Sequence, residues 1–268
     1  MAPTWAQFPY VGVVPAGTCK NTATELHNAS KERIVLNRRQ SIGGLAAMAG
    51  LAGAAAAQAK DQCVAFTPQM QAAKTPEEAL KRLQDGNARF AAGKALHCDL
   101  LEQVRSTAKQ QAPFAVVLGC IDSRVPPELI FDQNIGDMFV ARVAGNIAST
   151  DIIGSLEFAT ALAGAKLGVV LGHSECGAVK GAIDDAKLGS LTGVLAQIRP
   201  SLKQLDYKGV PSSKDKALVQ RVAVQNAKDA AAQLTSRSET MAGLVRDGKL
   251  KIIYAMHDVA TGKVAWLG

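Results

Sequence analysis

Three side chains that commonly bind metal ions lie in two short motifs of the sequence. Cys120 directly follows an apolar run, and His173 and Cys176, three residues apart, follow another apolar run. Thiolate sulfur and imidazole nitrogen suit Zn²⁺, which favours tetrahedral sites with such ligands. Three protein ligands leave one position for water, as in catalytic rather than structural zinc sites. We therefore predict a catalytic zinc site on Cys120, His173 and Cys176.

Asp122 and Arg124 follow Cys120 closely and decide what such a site could do. The Asp122 carboxylate could be a fourth metal ligand that closes the site. Alternatively, it could pair with Arg124, which keeps it ionised and oriented, and accept a hydrogen bond from metal-bound water. Zinc lowers the pKa of such water to roughly 7 to 9, so the second arrangement gives a hydroxide nucleophile. A surface ion pair would not explain why both residues lie beside a metal thiolate.

Each motif alone has another interpretation. A single cysteine after a strand is usually a small buried hydrophobe. The stretch 172–177 also resembles the nucleophile elbow of serine hydrolases, but Cys176 stands where that pattern requires its last glycine. The combination of both motifs with the carboxylate and the guanidinium is what favours a zinc enzyme.

From Thr75 onward, apolar runs rich in β-branched residues alternate with stretches of helical periodicity. This alternation is typical of a parallel sheet covered on both faces. We therefore predict an α/β fold with a central, mainly parallel β-sheet flanked by helices, an N-terminal helical arm and a C-terminal antiparallel edge hairpin at 259–264. The predicted strands cover 114–119, 138–143, 167–172 and 250–256, and the predicted helices cover 75–92, 155–165, 178–186, 191–205, 216–234 and 238–247. Ligands gather at the carboxyl ends of such strands, where Cys120 and His173 are expected.

Residues 1–59 resemble an export signal. Arg38 and Arg39 precede the Gly/Ala-rich apolar stretch 42–57, and a small-x-small cleavage pattern ends at Ala59. The stretch is too short and too weakly apolar to favour a stable membrane anchor. We therefore predict a periplasmic protein exported through the twin-arginine route and cleaved after Ala59.

Two of the five cysteines lie outside the metal motifs and follow the predicted signal. Cys63 and Cys98 could pair in an oxidising compartment, or they could be two free thiols on a flexible arm. We assign 60–74 to a linker or arm and 75–268 to the catalytic domain.

The charge pattern bears on possible partners. The formal net charge is +7, but no basic run is present and only 4% of the residues are aromatic. Nucleic acid is therefore not an expected partner.

The metal motifs, taken together, strongly resemble those of the β-class carbonic anhydrases. The likeness rests on Cys-Ile-Asp-Ser-Arg-Val-Pro-Pro-Glu at 120–128 and Gly-His-Ser-Glu-Cys-Gly-Ala-Val at 172–179, and it spans Thr75 to the C-terminus. The resemblance implies zinc on the three predicted ligands, Asp122 and Arg124 as a catalytic dyad, and reversible hydration of carbon dioxide to bicarbonate by a metal-bound hydroxide. It also implies a homodimer or homotetramer with sites at the interface. Shorter similarities lie at 136–140, 144–146, 155–158 and 258–264.

Further positions are interpreted through this resemblance. Gln111 stands where plant-type members have a glutamine that lines the partner subunit's substrate pocket, and Gly177 is a second pocket candidate. Val117 replaces the tryptophan of bicarbonate-inhibited members, which argues against that anion site. Val143 replaces a common asparagine, whereas Arg142 is retained.

The same residues are compatible with other functions and offer candidate proton acceptors. A relative with the same zinc scaffold could hydrolyse carbonyl sulfide or carbon disulfide, and a non-catalytic protein could bind zinc and bicarbonate. The Asp122–Arg124 pair argues against the non-catalytic protein. His257 is a candidate proton shuttle, although a structural role is commoner for such a residue, and His97 is a weaker candidate.

Overall fold

The computed structural model describes residues 63–268. The predicted export signal and its cleavage site lie outside the described residues. Within the described part, no helix is long and apolar enough to cross a membrane.

A five-stranded sheet forms the centre of the fold, with strand order β2-β1-β3-β4-β5. Strands β1 to β4 pair in parallel and β5 is antiparallel to β4, which confirms the predicted α/β class. The strands are β1 Ala115–Gly119, β2 Met138–Arg142, β3 Leu167–His173, β4 Lys251–His257 and β5 Val264–Trp266. The helices are α1 Pro68–Ala72, α2 Pro76–Ala91, α3 Leu100–Thr107, α4 Pro127–Ile130, α5 Thr150–Glu157, α6 Gly177–Ile183, α7 Leu191–Lys203, α8 Lys216–Ser236 and α9 Glu239–Arg246.

Strands β1 and β3 are buried along their whole length, because helices cover both faces of the sheet. Alternate side chains enter opposite cores, as the period of a strand requires. Val116 and Leu118 pack in the core that includes α8, whereas Val117 packs in the core with Phe114 and Leu83. The β1–β3 register therefore has strong hydrophobic support on both sides.

Helix α2 begins where the sequence predicts. Thr75 accepts a hydrogen bond from the Glu78 amide, and the Glu78 carboxylate accepts one from the Thr75 amide, so the capping box is present. The reciprocal bonds satisfy amides that have no partner within the helix.

Helix α3 was not predicted, for a clear physical reason. Its apolar residues Leu100, Leu101 and Val104 are exposed, whereas Gln103 is its buried residue. The helix spans only eight residues, so its apolar spacing repeats too few times to be recognised in the sequence as a helical pattern. The Gln103 side chain instead donates to Asn134 and accepts from the Ile135 amide.

Two predicted boundaries also differ from the structure. Helix α5 begins at Thr150 rather than 155, although two isoleucines and Gly154 lower the helix propensity of its first turns. Ile153 is buried, and this packing outweighs propensity. At the C-terminus, most of the predicted hairpin at 259–264 is the turn, and the returning strand is β5.

The segment predicted as a linker or arm is packed against the domain within its described part. Phe66 is buried, and α1 places the Gln71 amide within 2.6 Å of the Pro113 carbonyl and 2.7 Å of the Ala163 carbonyl. Cys63 forms a disulfide with Cys98, with a Cα–Cα distance of 5.3 Å. The segment is therefore tied to the loop that precedes α3.

Candidate metal centre

Cys120, His173 and Cys176 meet at the carboxyl ends of β1 and β3. Gly119 is level with Leu171 in the parallel register, so Cys120 follows β1 close to the last residue of β3, which is His173. Cys176 is the N-cap of α6. The ligand atoms of the three residues all lie within 4.8 Å of one another, and all three residues are buried.

The His173 ring is oriented to offer one nitrogen to a metal. Its Nδ1 lies 2.9 Å from the Ser174 carbonyl oxygen, so an Nδ1–H tautomer donates there. Nε2 is buried without a hydrogen-bond partner in the described chain. Such an atom costs stability unless something binds it, and a metal ion would do so. The donor set and this free nitrogen fit Zn²⁺.

The Cys120 and Cys176 thiols are hydrogen-bonded to each other, and this bond shifts their pKa values in opposite directions. A hydrogen bond from Cys176 lowers the pKa of Cys120 to about 4, although burial acts in the opposite direction. The same bond raises the pKa of Cys176, with burial as the second cause. The Gly145 amide also donates to the Cys120 sulfur, at 3.3 Å. Cys120 is thus already stabilised as the thiolate that metal binding requires.

Asp122 is held by Arg124 through both carboxylate oxygens. Arg124 Nε lies 2.9 Å from Oδ1 and Nη2 lies 2.8 Å from Oδ2, and the Arg124 backbone amide also donates to Oδ1. The side-chain bonds, helped by the backbone bond, hold the pKa of Asp122 well below its usual range although burial opposes this. Of the two arrangements predicted for Asp122, the structure has the carboxylate paired with Arg124.

Arg142 donates hydrogen bonds to the loop that carries Cys120 and Asp122. From the end of β2, its Nε donates to the Cys120 carbonyl at 2.8 Å and its Nη2 donates to the Asp122 carbonyl at 2.6 Å. One planar guanidinium thereby fixes two peptide groups on either side of Ile121. The resemblance had singled out Arg142 without giving it this role.

Comparisons with known proteins agree with this geometry. The family model described as carbonic anhydrase matches residues 115–264. A carbonic anhydrase of Mycolicibacterium smegmatis is 37% identical over 195 residues, which cover 70% of this chain and 92% of that protein. Carbonic anhydrase 2 of Mycobacterium tuberculosis is 34% identical over 194 residues, or 70% of this chain and 91% of that protein.

The solved structures point to one class of the family. A structure from a study of two tetrameric β-carbonic anhydrases of Sordaria macrospora is 27% identical with a TM-score of 0.53, and the match covers 62% of this chain and 90% of that one. A β-carbonic anhydrase of Aspergillus fumigatus is 25% identical with a TM-score of 0.55, and covers 71% of this chain and 89% of that one.

The chain belongs to the β-class carbonic anhydrases. It is therefore an enzyme of that family, as the two metal motifs predicted.

The other predicted site residues of this β-carbonic anhydrase have different positions. Gly177 is the first residue of α6 beside Cys176 and faces open space. Gln111 is exposed and precedes β1, whereas Cys120 follows β1. A five-residue strand separates them by roughly 15 Å, so Gln111 does not belong to the site of its own chain.

The two histidines considered as proton shuttles differ in burial. His257 is buried and level with His173 in the β3–β4 register, and its Nδ1 has no partner in the described chain. Burial lowers the pKa of His257, and the His173 charge lowers it further. His97 is exposed, beside the disulfide.

Sequence reasoning missed two supports of this carbonic anhydrase site. The Gly145 amide contacts the Cys120 sulfur, and the Asn226 side chain contacts the Gly145 carbonyl. The Ala-Gly-Asn stretch at 144–146 was a visible signal for the first, because Gly-Asn favours the left-handed backbone that both residues adopt. Asn226 lies in a helix and gave no such signal.

Proposed function

We propose that this protein catalyses the reversible hydration of carbon dioxide to bicarbonate and a proton, with Zn²⁺ held by Cys120, His173 and Cys176. The observation that carries the proposal is the buried ligand set beside a bidentate Asp122–Arg124 pair. A purely structural zinc site would use a fourth protein ligand and would need no such pair.

The chain's own residues would orient the reaction. Bound zinc supplies an open coordination position and lowers the pKa of a water there. Asp122, kept anionic by Arg124, can accept but not donate a hydrogen bond, so it selects the orientation of a hydroxyl next to it. Arg142 holds the backbone of Cys120 and Asp122, so the thiolate and the carboxylate keep a fixed separation.

Positive charge at the mouth of the site would attract bicarbonate. Arg124 is half exposed, and its Nη2 lies 3.5 Å from the Glu175 carbonyl. The Glu175 carboxylate forms an ion pair with Lys180, and its pKa is lowered by that bond first and also by the Lys216 charge. Three cationic side chains therefore lie near two carboxylates, those of Glu175 and Asp122, and the net positive charge favours a small anion.

Stopped-flow hydration of carbon dioxide by the zinc-loaded protein tests the proposal. We expect Asp122→Ala to reduce kcat/KM by about 100-fold or more, since it removes an oriented acceptor and leaves Arg124 unpaired. Asp185→Asn, which removes an exposed carboxylate paired with Lys187, is the matched control and should keep full activity.

Equal rates for Asp122→Ala and the wild type would contradict the assignment. A wild type that binds zinc but does not hydrate carbon dioxide would support one of the alternatives. Hydrolysis of carbonyl sulfide or carbon disulfide would then identify the sulfur-compound hydrolase, and its absence would identify a binding protein.

We also propose that the protein is a homodimer or homotetramer. Within residues 63–268, strand β2 has an unpaired edge, and beside it lies an apolar groove of about 640 Å³. The rings of Phe139 and Phe158 meet edge to face there, 6.0 Å apart, and Phe158 is half exposed. In such an oligomer, the exposed Gln111 side chain would be available to line the site of a partner subunit.

Export to the periplasm is a further proposal, which the twin-arginine motif and the Cys63–Cys98 disulfide support. Sequencing the N-terminus of the exported protein tests it. A start at Lys60 is expected, whereas a chain that keeps residues 1–59 in the cytoplasm would contradict it.

A further inference from the structure

The tight turn at Ala144–Asn146 contacts the first metal ligand. Gly145 has a φ of 71°, and its amide donates to the Cys120 sulfur at 3.3 Å. A side chain at this position would be strained by the positive φ, and Ile198 would have to shift, because the new Cβ would lie 2.5 Å from Ile198 Cδ1. The turn therefore brings a backbone donor to a thiolate by a conformation that only glycine adopts easily in this space.

This turn is held from α8 by one buried amide. Asn226 Nδ2 donates to the Gly145 carbonyl at 2.8 Å. Asn226 is 3% exposed, and it is the only polar residue among the buried residues of α8. A buried amide in an apolar stripe is costly unless its bonds are made, so its partner in the turn is the reason it is tolerated.

We propose that Asn226 is a positioning residue of the metal centre: it fixes the Gly145 turn so that the Gly145 amide donates to the Cys120 thiolate. The inference rests on the proposed zinc site. A hydrogen bond to a ligating thiolate restrains the sulfur and tunes its donation to the metal, and loss of such supports typically weakens metal affinity 10–100-fold. Without the bond from Asn226, the Gly145 carbonyl would be unpaired and the turn could rotate.

Zinc affinity of the full chain, measured by chelator competition, is the main test. Asn226→Leu keeps the side-chain volume and removes the donor, and we expect zinc to bind 10–100-fold more weakly than to the wild type. Ser201→Ala is the matched control: it removes a buried hydroxyl that donates to Asp229 across the same α7–α8 contact and not to the turn. It should lower thermal stability and keep wild-type zinc affinity.

A second measurement examines the hydrogen bond directly. In the ¹¹³Cd-loaded wild type, we expect scalar coupling between the Gly145 amide proton and the metal, and we expect Asn226→Ala to weaken it. If this coupling is absent in the wild type, the inference is refuted, whether or not the Asn226 variants fold.

The remaining outcomes separate the two proposals. A wild type without zinc affinity would refute the metal site itself. A wild type that binds zinc, together with an Asn226→Leu protein that binds it equally well, would refute only the role of Asn226. Reduced stability in both Asn226→Leu and Ser201→Ala with unchanged affinity would assign Asn226 a structural role alone, and would also refute the inference.

Discussion

Asp122 and Arg124 form a fork-to-fork pair in which geometry matters as much as charge. Each carboxylate oxygen faces a different guanidinium nitrogen. A lysine would keep the positive charge but would bond as a point and leave one oxygen free to turn. Replacement of Arg124 by lysine therefore separates the effect of carboxylate orientation from the effect of the positive charge.

We expect Arg124→Lys to lower kcat/KM for carbon dioxide hydration about 10-fold or more, because Asp122 loses its bidentate partner. Stopped-flow measurement at constant zinc occupancy would show this. Arg246→Lys alters a comparably exposed arginine, paired with Glu239 on α9, and should leave the rate unchanged. Equal losses in both variants would argue against a special role for the fork.

His257 leads to a prediction for stability at acid pH. Burial lowers its pKa, so below about 6.5 the unfolded chain binds a proton that the folded chain excludes. Stability should therefore fall as the pH drops from about 6.5 toward the lowered folded pKa. The loss ends once the pH falls below the lowered folded pKa, because both states then bind the proton.

Urea unfolding of the metal-free protein at pH 7.5 and 5.5 would measure this loss. His257→Asn should reduce the difference between the two pH values, whereas His97→Asn, at an exposed position, should keep it. If His257→Asn keeps the wild-type difference, another group causes the acid destabilisation.

At the scale of elements, the disulfide connects the segment that carries Phe66 to the loop before α3. Cys63 and Cys98 enclose α1 and α2, at a sequence separation of 35. In the chain-entropy view, such a cross-link stabilises by about 3 to 4 kcal/mol by restricting the unfolded chain. Helix α3, which follows Cys98, buries only Gln103.

We expect the double variant Cys63→Ser/Cys98→Ser to unfold about 10 °C below the wild type, from the usual relation between stability and Tm. Thermal unfolding by circular dichroism would measure this shift. A mild reductant should lower the Tm of the wild type and leave that of the variant unchanged. A reductant-insensitive wild type would mean that the two thiols are free in solution.

Elements differ in how far the sequence could predict them. The four parallel strands and α2 were predicted because apolar runs and a capping box are local signals. Helix α3 was missed because its eight residues give too short a periodic pattern. The zinc ligands were recognisable by chemistry and motif, but Asn226 was not, because its role depends on how α8 lies against a turn distant in sequence.

At the scale of the whole molecule, the apolar groove beside β2 leads to a test of assembly. Phe158 lies in this groove and is half exposed. We expect Phe158→Asp to convert the oligomer to a monomer, because an unpaired carboxylate in an apolar interface is strongly unfavourable. Analytical ultracentrifugation would give the mass of each species.

Val210→Asp is the matched control for that experiment. Val210 is 89% exposed in the loop between α7 and α8, and its replacement should keep the assembly. A Phe158→Asp protein that sediments like the wild type would show that subunits associate through another surface.

The pairing of β1 with β3 has a consequence for how the enzyme matures. Cys120 and His173 come from segments far apart in the chain, and they become neighbours only when these two buried strands align. Unlike a zinc finger, whose ligands are close in sequence and whose fold depends on the ion, this chain must largely build its sheet before it can capture metal tightly. We therefore expect the proposed zinc site to be loaded after the sheet has formed, so that zinc binding would report a correctly folded chain.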